Sequence, residues 1–149
     1  YFTKRKVQIG RNKIIEVGGG VPQGSVLGPT LWNILYDDLM KVDLPEGVTI
    51  ICYADDLATV ITAESKEELQ MKGEVTLVKV KLWLTKHRLS MALKKTKAII
   101  LNRPRNITEL VFELNHNKVV PDSVVKYRGV DLDRGLSFGR HTARDGKGQ

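Results

Sequence analysis

Tyr53-Ala54-Asp55-Asp56 lies between two apolar runs, Val48–Cys52 and Leu57–Ile61. β-Branched residues on both sides of a short polar centre specify a strand, a tight turn and a second strand. Such a hairpin holds two neighbouring carboxylates at its tip. Adjacent carboxylates repel, and a divalent cation relieves that repulsion. A bound Mg²⁺ at the tip could carry phosphoryl-transfer chemistry. The competing reading is a solvated turn, because Asp favours turns. The dipeptide alone does not choose between them.

The stretch upstream does choose. It reads Gly20-Val21-Pro22-Gln23-Gly24-Ser25-Val26-Leu27-Gly28-Pro29. Together with Tyr53-Ala54-Asp55-Asp56 it resembles the reverse transcriptases, particularly those of retrotransposons without long terminal repeats. In that family a GVPQGS-x-LGP stretch precedes a helix and then a YADD hairpin. Leu93-Lys94-Lys95-Thr96 is similar to the family's Lys-Thr motif, and Tyr127-Arg128-Gly129-Val130-Asp131-Leu132-Asp133 to its YLGV-x-LD strand. The ordered set spans roughly residues 18 to 133.

The resemblance implies an α+β fold, a polymerase palm-like antiparallel sheet packed by two helices. It implies RNA-directed DNA polymerisation, with template RNA, a DNA primer and dNTPs as partners. The cofactor it implies is Mg²⁺, with Mn²⁺ as the alternative. Asp55 is then the principal catalytic metal ligand, and Asp56 a second ligand or an electrostatic support. Tyr53 would lie beside the primer terminus, or simply be a strand aromatic. Pro22, Gln23 and Gly24 would contact the template or incoming nucleotide, with glycines allowing close backbone approach. Lys95 would face the leaving phosphates as a catalytic cation, against a reading as ordinary basic surface. Tyr127 and Gly129 would belong to a primer-gripping strand, against a purely structural one.

Composition is compatible with this. The chain has 149 residues, one domain's worth, with a hydrophobic share of 42% and a charged share of 28%. No apolar run reaches transmembrane length. The single cysteine, Cys52, cannot pair within the chain, which fits a reducing setting. Net charge is +7. Between Glu74 and Glu109 there is no acid, but Lys79, Lys81, Lys86, Arg88, Lys94, Lys95, Lys97, Arg103 and Arg105 occur there. Lys4, Arg5, Lys6, Arg11 and Lys13 precede the first acid, Glu16. Basic tracts of this kind suit a phosphate backbone.

Along the chain, Val7–Ile9 and Ile14–Val17 are expected to form a hairpin. A helix is expected from near Ser25 to Met40, with Pro29 in its first turn and Ser25 as a cap. Pro45-Glu46-Gly47 is a turn. Ser65-Lys66-Glu67-Glu68 has the form of a capping box opening the longest helix. Met71, Val75, Val78 and Leu82, with Leu89 beyond them, are expected to face the core. A strand at Lys97–Leu101, a basic loop at Asn102–Thr108 with Pro104, a hairpin of Leu110–Leu114 and Lys118–Val120 around Asn115-His116-Asn117, and a last strand at Val124–Leu132 follow. Residues 1–133 are expected to form a partial palm, and 134–149 a polar, frayed end. Asp37 and Asp38 are expected to face solvent or cap nearby loops. His87, His116 and His141 have no ligand spacing.

Three departures qualify the resemblance. The family draws a further metal-binding aspartate from a strand upstream of the GVPQG stretch, and this chain begins after that point, at a residue other than methionine. Fingers, first palm strand and most of the thumb are likewise expected to be absent. Ala92 stands where the family often has asparagine, and Arg128 where it usually has leucine. Two readings follow: a polymerase segment inactive in isolation, or a truncated or domesticated remnant acting only as a nucleic-acid-binding module.

Overall fold

The computed structural model describes residues 5–21, 24–101, 110–114 and 116–137. The expectations for Lys4, Pro22, Gln23, the Asn102–Thr108 loop with its two arginines, Asn115, His141 and the tail from residue 138 lie outside them. The described chain is α+β: two α-helices and eight strands that pair as four antiparallel two-stranded sheets. It divides into two compact units, Tyr1–Lys41 with Cys52–Leu57, and Val42–Ile51 with Ala58–Gln149.

The first unit opens with β1 (Arg5–Ile9) and β2 (Lys13–Val17), joined through Gly10 at φ +66°. Arg5 pairs with Val17 and Ile9 with Lys13. Helix α1 (Gly28–Leu39) follows, shorter at its start than expected. Its N-cap position is Leu27, which makes no side-chain capping bond, so Ser25 is not the cap. Instead the Ser25 carbonyl accepts a bond from Gly28 N–H at 3.1 Å, a turn that leads into the helix. Pro29 sits in the first turn as expected, where a missing N–H costs little. Tyr36 and Leu39 are the buried residues of α1.

β3 (Val48–Tyr53) and β4 (Asp56–Ile61) form the expected central hairpin, shared between the units. The rest of the second unit is organised by α2 (Lys66–Lys86). Ser65 caps it, its Oγ accepting from Glu68 N–H at 3.1 Å. Glu68 reaches back one residue further than a capping box predicts, accepting from Glu64 N–H at 2.8 Å. Glu67 and Glu68 in the first turn and Lys86 in the last complement the helix dipole.

The face of α2 that meets the core is not the expected one. Met71, Val75, Val78 and Leu82 are exposed, by 58%, 37%, 43% and 65%. Gly73, Thr76, Val80 and Trp83 are buried instead. That seam continues from Leu69 at the same helical spacing, and lies about 150° round the helix from the apolar stripe. Small residues win because they admit bulk from the partner. The ring of Phe112 occupies the space a Gly73 side chain would need. Around it Leu110, Phe112 and Val119 form a core with Leu69, Leu77, Ala98 and Ile100 against them.

β5 (Phe112–Leu114) and β6 (Asn117–Val119) form the expected hairpin. The expected strand at Lys97–Leu101 is reduced to an isolated parallel bridge, Ile99 to Asp122. The expected single strand from Val124 to Leu132 is in fact a hairpin, β7 (Val124–Tyr127) and β8 (Val130–Asp133). Arg128 at φ +49° and Gly129 at φ +88° make its turn, the pair of positive values that tight two-residue hairpins require. Beyond it, Asp133 Oδ1 accepts from Gly135 N–H at 2.9 Å and Ser137 N–H at 3.0 Å, so the first residues of the expected frayed end are folded back.

Candidate catalytic hairpin

The β3–β4 hairpin is tied at its base. Thr62 donates from both N–H (2.9 Å) and Oγ1 (3.0 Å) to the Gly47 carbonyl. Gly47 sits at φ +79°, and an added Cβ would fall 2.5 Å from Thr62 Oγ1, so the position requires glycine. Lys72 on α2 donates to the Thr62 carbonyl at 3.0 Å and is paired with Glu68 at 2.7 Å. That pair, with the Glu64 and Ser65 N–H groups, holds the Glu68 carboxyl below the usual carboxylate range. Lys79 anchors the approach to β3, donating to the Asp43 carbonyl.

At the tip, Ala54 and Asp55 form the turn and Asp56 opens β4. Ala54 adopts φ +50°, a left-handed conformation that costs a residue with a Cβ about 1–2 kcal/mol. Asp55, Asp56 and Tyr53 are all exposed. Two adjacent hard-oxygen donors open to solvent have the chemistry to hold a divalent cation, whose remaining positions water or phosphate oxygens would fill. Among the described residues, no group of three or more His, Cys, Asp or Glu side chains gathers as a metal set.

Helix α1 contributes a residue that sequence reasoning did not single out. Tyr36 is 7% exposed and stacks on Trp32, ring centroids 5.4 Å apart. It lines a cleft of about 180 Å³ with Asn33, Asp37, Met40 and Cys52. Burial, then the electrostatic influence of Cys52, Asp55 and Asp56, pushes the Tyr36 phenol up. Burial also pushes the Cys52 thiol up. The available signal was an aromatic pair at i, i+4 on the helix preceding the hairpin. Asp37 and Asp38 are exposed as expected, and Asp37 pairs with Lys41 at 2.5 Å.

Of the other expected site residues, Gly24 is exposed at φ +78° with open space at its Cβ, as is Gly20 at the same φ. Lys95 is exposed and ends a 3₁₀ turn, Leu93–Lys95. Tyr127 ends β7 half-buried, and Gly129 lies in the following turn rather than in a strand. Gly24, Tyr53, Asp55 and Asp56 share the first unit, while Lys95, Tyr127 and Gly129 belong to the second. The basic tract is partly neutralised by acids from elsewhere in the sequence: Lys79 by Asp43 and Lys97 by Asp122 at 3.0 Å.

A family model, reverse transcriptase (RNA-dependent DNA polymerase), matches residues 2–132. The chain belongs to the reverse transcriptase family. Its curated relatives are retrotransposon proteins. The chain is 28% identical over 129 residues to the Retrovirus-related Pol polyprotein from type-1 retrotransposable element R1 2 of Nasonia vitripennis, covering 82% of the chain and 31% of that protein. It is 30% identical over 150 residues to the corresponding R1 polyprotein of Bradysia coprophila, covering 95% of the chain and 14% of the relative. With the RNA-directed DNA polymerase from mobile element jockey of Drosophila funebris it shares 34% over 137 residues, 88% of the chain and 15% of the relative. The chain thus spans a third or less of these relatives. No solved structure gives a significant match. Among the described residues, no helix is long and apolar enough to cross a membrane.

Proposed function

We propose that this chain is the palm segment of an RNA-directed DNA polymerase of a non-LTR retrotransposon, and that Asp55 and Asp56 are its catalytic metal ligands. The observation that carries the reading is the pair of exposed carboxylates at the tip of a hairpin tied at its base, in a chain of this family. Mg²⁺ bound there would polarise the nucleotide's α-phosphate and lower the pKa of the primer 3′-hydroxyl. Asp55 holds the metal and Asp56 supports it. Gly24 lets backbone approach the template or incoming nucleotide, with Pro22 and Gln23 beside it in sequence. Tyr53 lies beside the primer end. Lys95 offsets charge on the departing pyrophosphate, and Tyr127 and Gly129 hold the primer.

A metal site of two carboxylates from one hairpin is incomplete for two-ion chemistry, which needs further ligands. The 149-residue chain by itself is therefore expected to be inert, while a polypeptide that carries it together with the further ligands is expected to extend an RNA-templated primer. Primer extension with Mg²⁺ tests both. Activity of such a longer polypeptide that survives Asp55→Asn would end the metal-ligand reading. Activity of the isolated chain that disappears in Asp55→Asn would end the claim of inertness. A longer polypeptide devoid of extension, but with RNA binding that weakens steeply with salt, would favour a binding module instead.

A further inference from the structure

We infer that Tyr36 is a positioning residue for the Asp55–Asp56 carboxylates, acting through the Cys52 end of β3. The inference deepens the metal reading above and rests on it for its consequence, but not for its geometry. Tyr36 is one of two buried residues on α1, and the other, Leu39, carries no polar group. Its phenol and Cys52 line the same cleft, and Cys52 precedes Asp55 by three residues on the strand that delivers the turn. The ring is held by Trp32 one helical turn earlier, so it has a fixed place from which to support the tip.

The turn needs such support. Ala54 is in a left-handed conformation and Asp55 and Asp56 repel each other, so the tip left to itself would relax. Asp55 and Asp56 are both near enough to act on the Tyr36 phenol electrostatically. The ring, packed in the cleft it shares with Cys52, holds that end of the strand, and the hydroxyl is not needed for this.

The test uses the ¹⁵N-labelled 149-residue chain. Amide spectra of Tyr36→Leu and Tyr36→Phe are recorded without metal and then titrated with Mn²⁺, with Asp55→Asn as control. In Tyr36→Leu the Ala54, Asp55 and Asp56 amides are expected to shift and broaden while those of α2 and the β7–β8 hairpin stay in place. Its Mn²⁺ dissociation constant is expected to rise about fivefold, and Tyr36→Phe to restore both properties. A general loss of stability would move amides throughout the chain and would not be rescued by phenylalanine. Tip amides in Tyr36→Leu that superimpose on wild type would overturn the inference. If Tyr36→Leu does not fold, Cys52→Leu, which crowds the same cleft, must perturb the tip alone, and an unperturbed tip there overturns it equally. If Mn²⁺ binding is indifferent to Asp55→Asn, the metal reading fails, and the metal-free amides still decide the role of Tyr36.

Discussion

Phe112 lies with its ring over Gly73, so close that a Cβ built on the glycine would fall 2.5 Å from Cδ1 and nearer still to Cε1. Helix propensity favours alanine over glycine by about 1 kcal/mol, but overpacking here costs about 1–3 kcal/mol. Gly73→Ala is expected to lower unfolding free energy by up to about 2 kcal/mol once both effects are combined. In Phe112→Leu the same change is expected to cost less, since leucine withdraws from the contact. A urea denaturation double-mutant cycle measures the coupling.

Ala54 holds a conformation that glycine adopts without penalty. Ala54→Gly is expected to raise stability by about 0.5–1 kcal/mol, the strain relieved less the extra chain entropy glycine loses. The tip is expected to become more mobile in exchange. Thermal unfolding and ¹⁵N relaxation of Asp55 and Asp56 measure the two effects, and a lower melting temperature would contradict the first.

Glu68 links the cap of α2 to Lys72, and its folded-state pKa lies below that of the unfolded chain, for which 4.5 is the ordinary value. Its contribution to stability is therefore complete above that value and is lost as pH falls through the folded pKa. Wild type is expected to lose stability below about pH 4.5, and Glu68→Gln to lose less over the same interval. Denaturant midpoints taken from pH 7 to pH 3, at roughly half-unit steps, check the sign.

Cys52 is half-buried and its thiol is pushed up by burial, so little thiolate forms at neutral pH. Alkylation by iodoacetamide at about pH 8 is expected to be at least about tenfold slower than for a small free thiol. Tyr36→Ala opens the cleft and is expected to accelerate it. A native rate equal to that of the free thiol would contradict the burial.

The central hairpin, the first hairpin, Pro29 in α1 and the Ser65 cap were all legible, because each is written in a few adjacent residues. The core face of α2 was not. Two stripes of equal spacing run along that helix, and hydropathy ranks Met71, Val75, Val78 and Leu82 above a seam containing Gly73 and Thr76. Only the shape of Phe112, some forty residues away in sequence, favours the seam. The Arg128-Gly129 turn was hidden for a different reason. Its flanks are continuously β-forming, and a turn made by two positive φ values leaves one glycine as its sole local sign. Of the candidate site, the adjacent carboxylates stand next to each other in the sequence, whereas Tyr36 shares a cleft with Cys52, sixteen positions later, and no local pattern marks that.

The stripe left outside on α2 has a kinetic consequence. It is greasier than the seam the native core selects, so early collapse will offer this helix a rival docking with the wrong side inward. The sequence is locally frustrated there. From a rival docking the native packing is a rotation of nearly half a turn about the helix axis away, and Leu82→Lys, which spoils only the rival, is expected to speed refolding more than it alters the final stability.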